Sequence, residues 1–423
     1  MLSTLRNAWK VPDLRKRILY TILLVTIFRI GNFIPVPGID TAQLQGMNKE
    51  GSLINFYDLI AGGAFSRFSI FALAVSPYIN ASIIMQLLTM AIPQLEQLSK
   101  EGEDGRKKIQ NATRYLAIPL SIFMAYGVVV LAMNSGAVKD TSPLGILLLM
   151  VPLIAGATFL MWLGDQITVK GIGNGMSIII FVNMISRFPM MVYQVISLKK
   201  TEEIDIIGIS LFIVVAIALI ISVVIMTLAE RRIPVQYAGK AIGNKTYKGQ
   251  STHIPIGISG SAVIAIIFAL SVLQFPPTIA QFFPNSGFAT FINKYSIFKP
   301  DSGYYMIVYA IFVIFFTWFY SQVTFKPDEM AENMHKSAGF IPGIRPGEPT
   351  AKFIERVLDR ISVLGGTFAA LIAIFPLVID AYTPFEGIQF GGTMLLILVG
   401  VSLDTMRQIE SQLVMRHYQG FLK

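Results

Sequence analysis

The sequence predicts an all-α polytopic membrane protein with ten transmembrane helices. Hydrophobic residues make up 54% of the 423-residue chain and charged residues only 14%, whereas a typical soluble domain has about 25% charged residues. The mean hydropathy is +0.62. Apolar stretches that could cross a bilayer as a helix, which takes roughly 20 residues, recur along the whole chain. The chain has no cysteine, which excludes disulfides and thiolate chemistry.

Ten spans follow from the hydropathy pattern. They are Ile18–Ile34, Ser69–Ile92, Tyr115–Met133, Leu144–Leu163, Met176–Ile196, Ile206–Leu228, Ile258–Phe275, Tyr304–Thr324, Ile361–Ile379 and Gly391–Thr405. An even number of spans places both termini on one side of the membrane. On that side lie 25 Lys and Arg residues, against 7 on the other. Because cytoplasmic loops carry an excess of positive charge, the sequence predicts that both termini are cytoplasmic.

The second span is preceded by an unusual short apolar segment. Asn55–Phe65 is apolar and carries Asp58, but at about two to three helical turns it is too short to cross a membrane. The following span carries polar residues at Ser76, Asn80, Ser82, Gln86 and Thr89. Polar groups in hydrocarbon are costly unless they face protein or a water-filled cavity. The pattern predicts either a half-helix that lines a path at mid-depth or a re-entrant loop with packing polar groups.

Two predicted cytoplasmic loops are unusually long, Glu230–Gly257 and Phe325–Arg360. Loops longer than about 12–15 residues are usually functional or disordered. Both loops contain too many Val, Ile, Tyr and Phe residues for a disordered segment. We therefore predict folded docking loops, with solvated connectors as the alternative. The long loop on the other side, Pro276–Gly303, carries no recognisable chemistry.

Catalytic, metal and nucleotide sites are not indicated by the sequence. The histidines His253, His335 and His417 are far apart, and no pair has the spacing of metal ligands. There is no P-loop and no GxSxG motif, so we predict neither an enzyme nor a bound cofactor. No span interior holds the pair of carboxylates that an ion-coupled carrier usually needs. These observations favour a passive conduit that another protein drives.

Eight long runs of the sequence point to one protein family. The runs are FRIGNFIPVPG (Phe28–Gly38), GGAFSRFSIFAL (Gly62–Leu73), PYINASIIMQLL (Pro77–Leu88), KEGEDGRKKI (Lys100–Ile109), GIGNGMSIIIF (Gly171–Phe181), QSTHIPI (Gln250–Ile256), GFIPGIRPGEPTAKFI (Gly339–Ile354) and FGGTMLLI (Phe390–Ile397). They resemble the SecY family, the pore subunits of the bacterial protein-conducting translocon. The resemblance extends over about Val11–Tyr418, and the number and order of the runs make it highly specific.

The resemblance implies two inverted five-helix halves, residues 1–205 and 206–423, around a central pore. A half-helix would close the outer funnel as a plug, comprising Asn55, Phe56, Tyr57, Asp58, Leu59, Ile60, Ala61, Gly62, Gly63, Ala64, Phe65 and Ser66. A ring of apolar side chains would form the waist, comprising Val75, Ile79, Ile180, Met184, Ile267 and Ile397. Met184 is a departure, since relatives often carry isoleucine there, and its flexible side chain predicts a slightly softer ring.

A seam that opens sideways to lipid, the lateral gate, is also implied by the resemblance. At the matching positions this chain has Asn80, Ser82, Gln86 and Phe275. The predicted function is a channel that translocates unfolded secretory polypeptides across the bacterial cytoplasmic membrane and releases transmembrane segments into lipid. A secondary transporter of a small solute is the alternative, and a non-conducting scaffold or insertase is a third reading.

The resemblance further implies a set of partners. SecE and SecG would be small partner subunits, and the SecA ATPase or the ribosome would dock on the cytoplasmic loops. The predicted docking residues are Arg231, Arg232, Lys240, Lys245 and Arg345. Basic loops suit both an acidic protein groove and ribosomal RNA, although charges that only set the topology are the alternative. Signal sequences, nascent polypeptides and membrane lipid complete the expected set.

Overall fold

Helices make up most of the protein in a computed structural model. The structure describes residues 6, 8–41, 58, 61–134, 136–200, 206–237, 241–242, 245–246, 251–258, 262–283, 286–298, 302–382 and 392–420. Within these residues, a helix coincides with each predicted span. These helices are α1 (Pro12–Gly31), α2 (Ser76–Ala91), α4 (Glu103–Asn134), α5 (Pro143–Lys170), α6 (Gly175–Lys200), α7 (Ile206–Leu228), α8 (Ala262–Phe282), α10 (Gly303–Phe325), α12 (Glu348–Tyr382) and α13 (Gly392–Gly420). The connections hold α3 (Pro93–Lys100), α9 (Gly287–Lys294), α11 (Pro327–Lys336) and a 3₁₀ helix at Ser296–Phe298.

Length and hydropathy mark many of these helices as membrane spans. The segments that meet both criteria among the described residues are Glu103–Asn134, Pro143–Lys170, Ser210–Leu228, Gly303–Lys336 and Glu348–Ile379. Helices α2 and α3 would add a sixth span as one helix bent by 101°. Two further helical segments, Gly175–Met190 and Val263–Pro277, are apolar but shorter. This agrees with the predicted all-α polytopic fold.

The second span is shorter than predicted because its helix starts late. The predicted span begins at Ser69, whereas α2 begins at Ser76 and the residues before it run mostly in turns. Phe68 and Ala74 have φ angles of 46° and 48°. This left-handed conformation has no place inside a right-handed helix. The backbone at these two residues therefore separates the segment before α2 from the span itself.

Helix α8 is longer than predicted, since the seventh predicted span ends at Phe275. The helix continues through Pro276 and Pro277 to Phe282. Its last turns pack on α9 in a small buried cluster, which comprises Ala280, Ala289 and Ile292. This packing stabilises the end of α8, where the two prolines supply no backbone N–H group to the helix. The predicted loop 276–303 is therefore shorter than expected and partly helical.

The two long loops fold into one body, which we name the loop unit and define as the described part of residues 230–258 and 326–360. Strand β1 (Glu230–Tyr237) pairs antiparallel with β4 (Ser251–Gly257) on one side and with β5 (Gly339–Phe340) on the other. A second pair, β2 (Ala241–Ile242) and β3 (Lys245–Thr246), lies between β1 and β4 in the chain. The sequence analysis predicts folded loops but not these strands.

One hydrophobic core holds the loop unit together. Its buried residues come from both loops and from the first turns of α12, and they are Ile233, Val235, Ile256, Met334, Ile341, Ile354 and Leu358. On β1, Ile233 and Val235 point inwards while the residues around them are exposed, which is the alternation of a strand with one buried face. Helix α12 begins at Glu348, well before the predicted Ile361, because its amino-terminal turns belong to this core.

Three further buried clusters join the membrane helices. One unites α7, α8, α10, α12 and α13, and it also includes Ile83 from α2. A second packs α4 and α5 against residues between 61 and 74. The third gathers α1, α5, α6 and α13 around residues 71 and 75. The predicted division of the chain at 205/206 falls beside residues 201–205, which lie outside the described residues.

Candidate functional site

The six predicted ring residues lie in or against one buried hydrophobic cluster. Val75, Ile180, Met184 and Ile397 belong to its interior, with between 2% and 7% of each residue exposed. Ile79 and Ile267 are partly buried and pack against it. The structure therefore brings together side chains from α2, α6, α8 and α13, which are far apart in the chain.

Helix geometry explains how these side chains converge. Ile180 and Met184 are four residues apart on α6, so they lie on one face of that helix. Val75 directly precedes α2, and Ile79 follows one turn later. All six side chains are apolar, so the cluster presents no polar side chain at these positions.

The described part of the predicted plug is mostly a turn and not a half-helix. Residues 55–57 and 59–60 lie outside the described residues. Asp58 and Ala61 are helical, and the chain then runs in turns from Gly62 onwards. Gly62 and Gly63 have φ angles of 64° and 86°, which glycine adopts readily and other residues do not. We name Asp58 together with residues 61–66 the docked turn.

The carboxylate of Asp58 fastens the docked turn to α6. Its Oδ1 accepts a hydrogen bond of 2.8 Å from the Ser66 backbone N–H, and its Oδ2 accepts one from the Ser66 hydroxyl. The Arg187 guanidinium forms an ion pair with the same Oδ2. The side chains of Asp58 and Arg187 are only 7% and 19% exposed. The pair is therefore a mostly buried link between the turn and the helix wall.

Close backbone packing adds a second link between the docked turn and α6. A Cβ atom at Gly62 would lie 2.6 Å from the Asn183 Oδ1 atom, so no larger residue fits without displacement. Asn183 Oδ1 also accepts a hydrogen bond of 3.2 Å from Asn32 Nδ2, next to the end of α1. One turn further along α6, the Ser186 hydroxyl accepts a hydrogen bond of 3.0 Å from Arg29. The polar face of α6 thus joins the docked turn to α1.

Arg187 and Asn183 lie within the fifth predicted span, Met176–Ile196, and the sequence pattern assigns neither of them a role. The signal was present, since an ionisable residue within a span usually has a partner or a function. The partner could not be found from the sequence, because Asp58 and Arg187 are 129 residues apart, with the whole of α2 to α5 between them.

The predicted lateral-gate residues occupy different environments. Asn80 Nδ2 lies 3.8 Å from Met124 Sδ on α4. Ser82 and Gln86 are half-buried on α2, and Phe275 is 55% exposed on α8. On the same helix, Ile83 is buried in the cluster that unites α8 and α10, and Ile79 packs against that cluster.

The predicted docking residues lie on the loop unit. Arg231 and Arg232 are exposed on β1, and Arg232 Nε is 2.7 Å from Glu230 Oε1. Arg345 is exposed in a run of turns, and its carbonyl accepts a hydrogen bond of 2.8 Å from Thr350 Oγ1. Its guanidinium makes no hydrogen bond or ion pair with any described residue. Lys240 lies outside the described residues, and Lys245 is placed on β3.

Close to Arg345 in the chain, the first turn of α12 carries an exposed ion pair. Lys352 Nζ lies 2.6 Å from Glu348 Oε1 in the first turn of α12. The hydrogen bond from Lys352 lowers the pKa of the Glu348 carboxyl. Among the described residues, no group of three His, Cys, Asp or Glu side chains could hold a metal ion.

Known proteins match this chain over its full length. The SecY family model matches residues 69–406. The SecY protein translocase subunit of Halalkalibacterium halodurans is 42% identical, and those of Streptomyces galbus and Aquifex aeolicus are 40% identical. In each case the match covers 100% of this chain and 100% of the relative.

Solved structures share the fold at low sequence identity. One protein-conducting channel superposes with a TM-score of 0.68 at 19% identity, covering 95% of this chain and 93% of the other. Sec61 from a canine ribosome-channel complex gives 0.64 at 18% identity, again covering 95% and 93%. The predicted all-α membrane fold is confirmed. The full-length matches at 40–42% identity show that the chain belongs to the SecY family of protein translocase subunits.

Proposed function

We propose that this chain forms the pore through which unfolded secretory polypeptides cross a bacterial cytoplasmic membrane, and from which transmembrane segments leave sideways into lipid. The chain belongs to a channel family and is not an enzyme. The observation that supports the pore most directly is the cluster of six ring side chains with a turn fastened beside it. Family membership favours the channel over a small-solute transporter.

The physical need for such a pore comes from the peptide backbone. Each backbone group placed in hydrocarbon without a partner costs several kcal/mol, so a polypeptide cannot cross lipid unaided. A ring of Ile, Val and Met side chains leaves only a thin apolar barrier. These side chains part around residues of different sizes and close again behind them. The same ring excludes water and ions when no polypeptide is present.

Orientation follows from the charge distribution. The excess of Lys and Arg on the side of the termini supports cytoplasmic termini and a cytoplasmic loop unit. The carboxyl end of α6 then faces outwards, and Arg187 lies on the outer side of the ring. The docked turn would accordingly close the outer funnel, which is the position proposed for the plug.

The lateral gate would lie between α2 and α4 on one side and α8 and α10 on the other. Ile83 packs across this seam into the core of the carboxyl-terminal helices. An apolar signal sequence could replace that contact, because it would bury a similar apolar surface. Half-buried polar side chains at Ser82 and Gln86 would keep the opened seam hydrated.

The energy for transport would come from a partner that docks on the loop unit. We propose the SecA ATPase and the ribosome as alternative partners, with SecE and SecG as bound subunits. The loop unit supports this role because it has its own core and presents Arg231, Arg232 and Arg345 at its surface. Sec61, a protein with a similar fold, has been solved in a canine ribosome-channel complex.

Reconstitution tests the proposed function. Vesicles that contain this chain with SecE and SecG are supplied with SecA, ATP and a secretory precursor, and protease-protected precursor is measured. We expect protection that depends on ATP and on an intact signal sequence. Protection in vesicles without this chain, or uptake of small solutes in place of precursor, would contradict the proposal.

A further inference from the structure

The face of α6 that carries two ring residues continues outwards into a polar patch. Ile180, Asn183, Met184 and Arg187 follow the spacing i, i+3, i+4, i+7, which places all four on one side of the helix. Ile180 and Met184 are buried in the ring cluster. Arg187 therefore lies about one turn beyond the ring on the same wall.

Asp58 meets this wall with a carboxylate that is already organised by its own turn. The Ser66 backbone N–H and hydroxyl both donate to it, and they hold its oxygens in place beside Arg187. The pair therefore joins two preorganised partners and not two mobile surface side chains.

Other charges close to the patch are positive. Arg29 donates to Ser186 on the adjacent turn of α6. The guanidiniums of Arg29 and Arg67 lie 5.7 Å and 4.4 Å from the centre of the Phe33 ring. Asp58 supplies the carboxylate that pairs with Arg187. Removing Asp58 would take that carboxylate away from a region in which the other nearby charges are positive.

We propose that Arg187 is the positioning residue that receives the docked turn in the closed channel, with Asp58 as its counterion. This inference rests on the proposed function and adds the contact that seats the docked turn one helical turn outside the ring. When the docked turn departs, Asp58 and Arg187 separate into a water-filled funnel, where hydration replaces their pairing. The pair is strong only while the site is dry, so it favours the closed state without preventing opening.

The test uses the full chain with SecE and SecG in vesicles. Arg187→Gln removes the positive charge, Arg187→Asp reverses it, and Asp58→Arg reverses the other partner. Each single variant should raise the ion leak of idle channels several-fold and should increase transport of a precursor with a weakened signal sequence. The double variant Asp58→Arg with Arg187→Asp restores opposite charges and should return both values toward those of the unmodified chain. Arg187→Lys keeps the charge and should have the smallest effect.

Arg67→Gln is the matched control, because the Arg67 guanidinium is exposed and stacks on Phe33 outside the pair. It should leave the seal unchanged. Single variants that seal as well as the unmodified chain would overturn the proposal, as would a double reversal that leaks as much as the singles. If a single variant fails to accumulate, the double reversal and Arg187→Lys decide by the same leak measurement. Failure of the proposed function is separate, since the unmodified chain would then not transport an intact precursor.

Discussion

Val235 and Leu358 belong to different loops of the chain, yet both are fully buried in the same hydrophobic core. Val235 lies on β1 and Leu358 lies near the start of α12. The two loops that family resemblance assigns to docking are therefore one folded body at the amino-terminal end of α12.

Leu358→Ala should weaken the loop unit without opening the pore. Truncation of a fully buried leucine typically costs about 2–5 kcal/mol. We expect faster cleavage of the loops in limited proteolysis and weaker SecA binding, with an unchanged ion leak. Arg356→Ala, at an exposed position on the same turns of α12, is the control and should show neither effect. A leak in the Leu358 variant would show that the loop core also supports the ring.

Arg345→Glu should abolish SecA-driven translocation while the channel still folds. The guanidinium is exposed among turns and has no described partner, so it is available to a carboxylate or phosphate group, which its planar donors fit in a way lysine cannot copy. The measurement is SecA binding together with protease protection of a precursor. Arg356→Glu makes the same change of charge elsewhere on the loop unit and should retain transport. Full transport by the Arg345 variant would refute the docking role, and loss of the folded complex would indicate a structural one.

Gly62→Ala should unseat the docked turn, whereas Gly63→Ala should do so less. Both glycines have positive φ angles, so alanine costs about 1–2 kcal/mol of backbone strain at either position. Only at Gly62 would the added Cβ also meet Asn183, since nothing lies within 4 Å of a Cβ at Gly63. We therefore expect a larger ion leak from the Gly62 variant. Equal leaks would mean that contact with α6 does not hold the turn.

Ile180→Asn should wet the ring and ease opening, because a polar side chain holds water where an apolar one excludes it. Export of a precursor with a weakened signal sequence should rise several-fold, with a modest rise in ion leak. Ile185 lies on the same helix but is 43% exposed on its outer surface, so Ile185→Asn is the control and should change neither value. Indistinguishable results for the two variants would remove Ile180 from the ring.

Hydropathy predicted the helices well, because apolar length is a local property of the chain. The ring positions came from the family resemblance and stay a prediction, although all six lie in or against one buried cluster. Helix ends were less predictable. The late start of α2 depends on positive φ angles at Phe68 and Ala74. Neither phenylalanine nor alanine is typical of that conformation, so the sequence does not predict it. The shared core of the loop unit and the pairing of Asp58 with Arg187 were not predictable, since each joins residues that only the tertiary fold brings together.

Disulfide mapping tests most directly whether a polypeptide passes through the apolar ring. The chain has no cysteine, so Ile180→Cys and the outward-facing control Ile185→Cys each provide a single thiol. A precursor with one cysteine is driven into the channel by SecA and ATP, and a folded domain at its carboxyl end stalls it midway. We predict a disulfide with the cysteine at position 180, dependent on ATP, and none with the cysteine at position 185. A protected, stalled precursor that links equally to both positions, or to neither, would contradict the account.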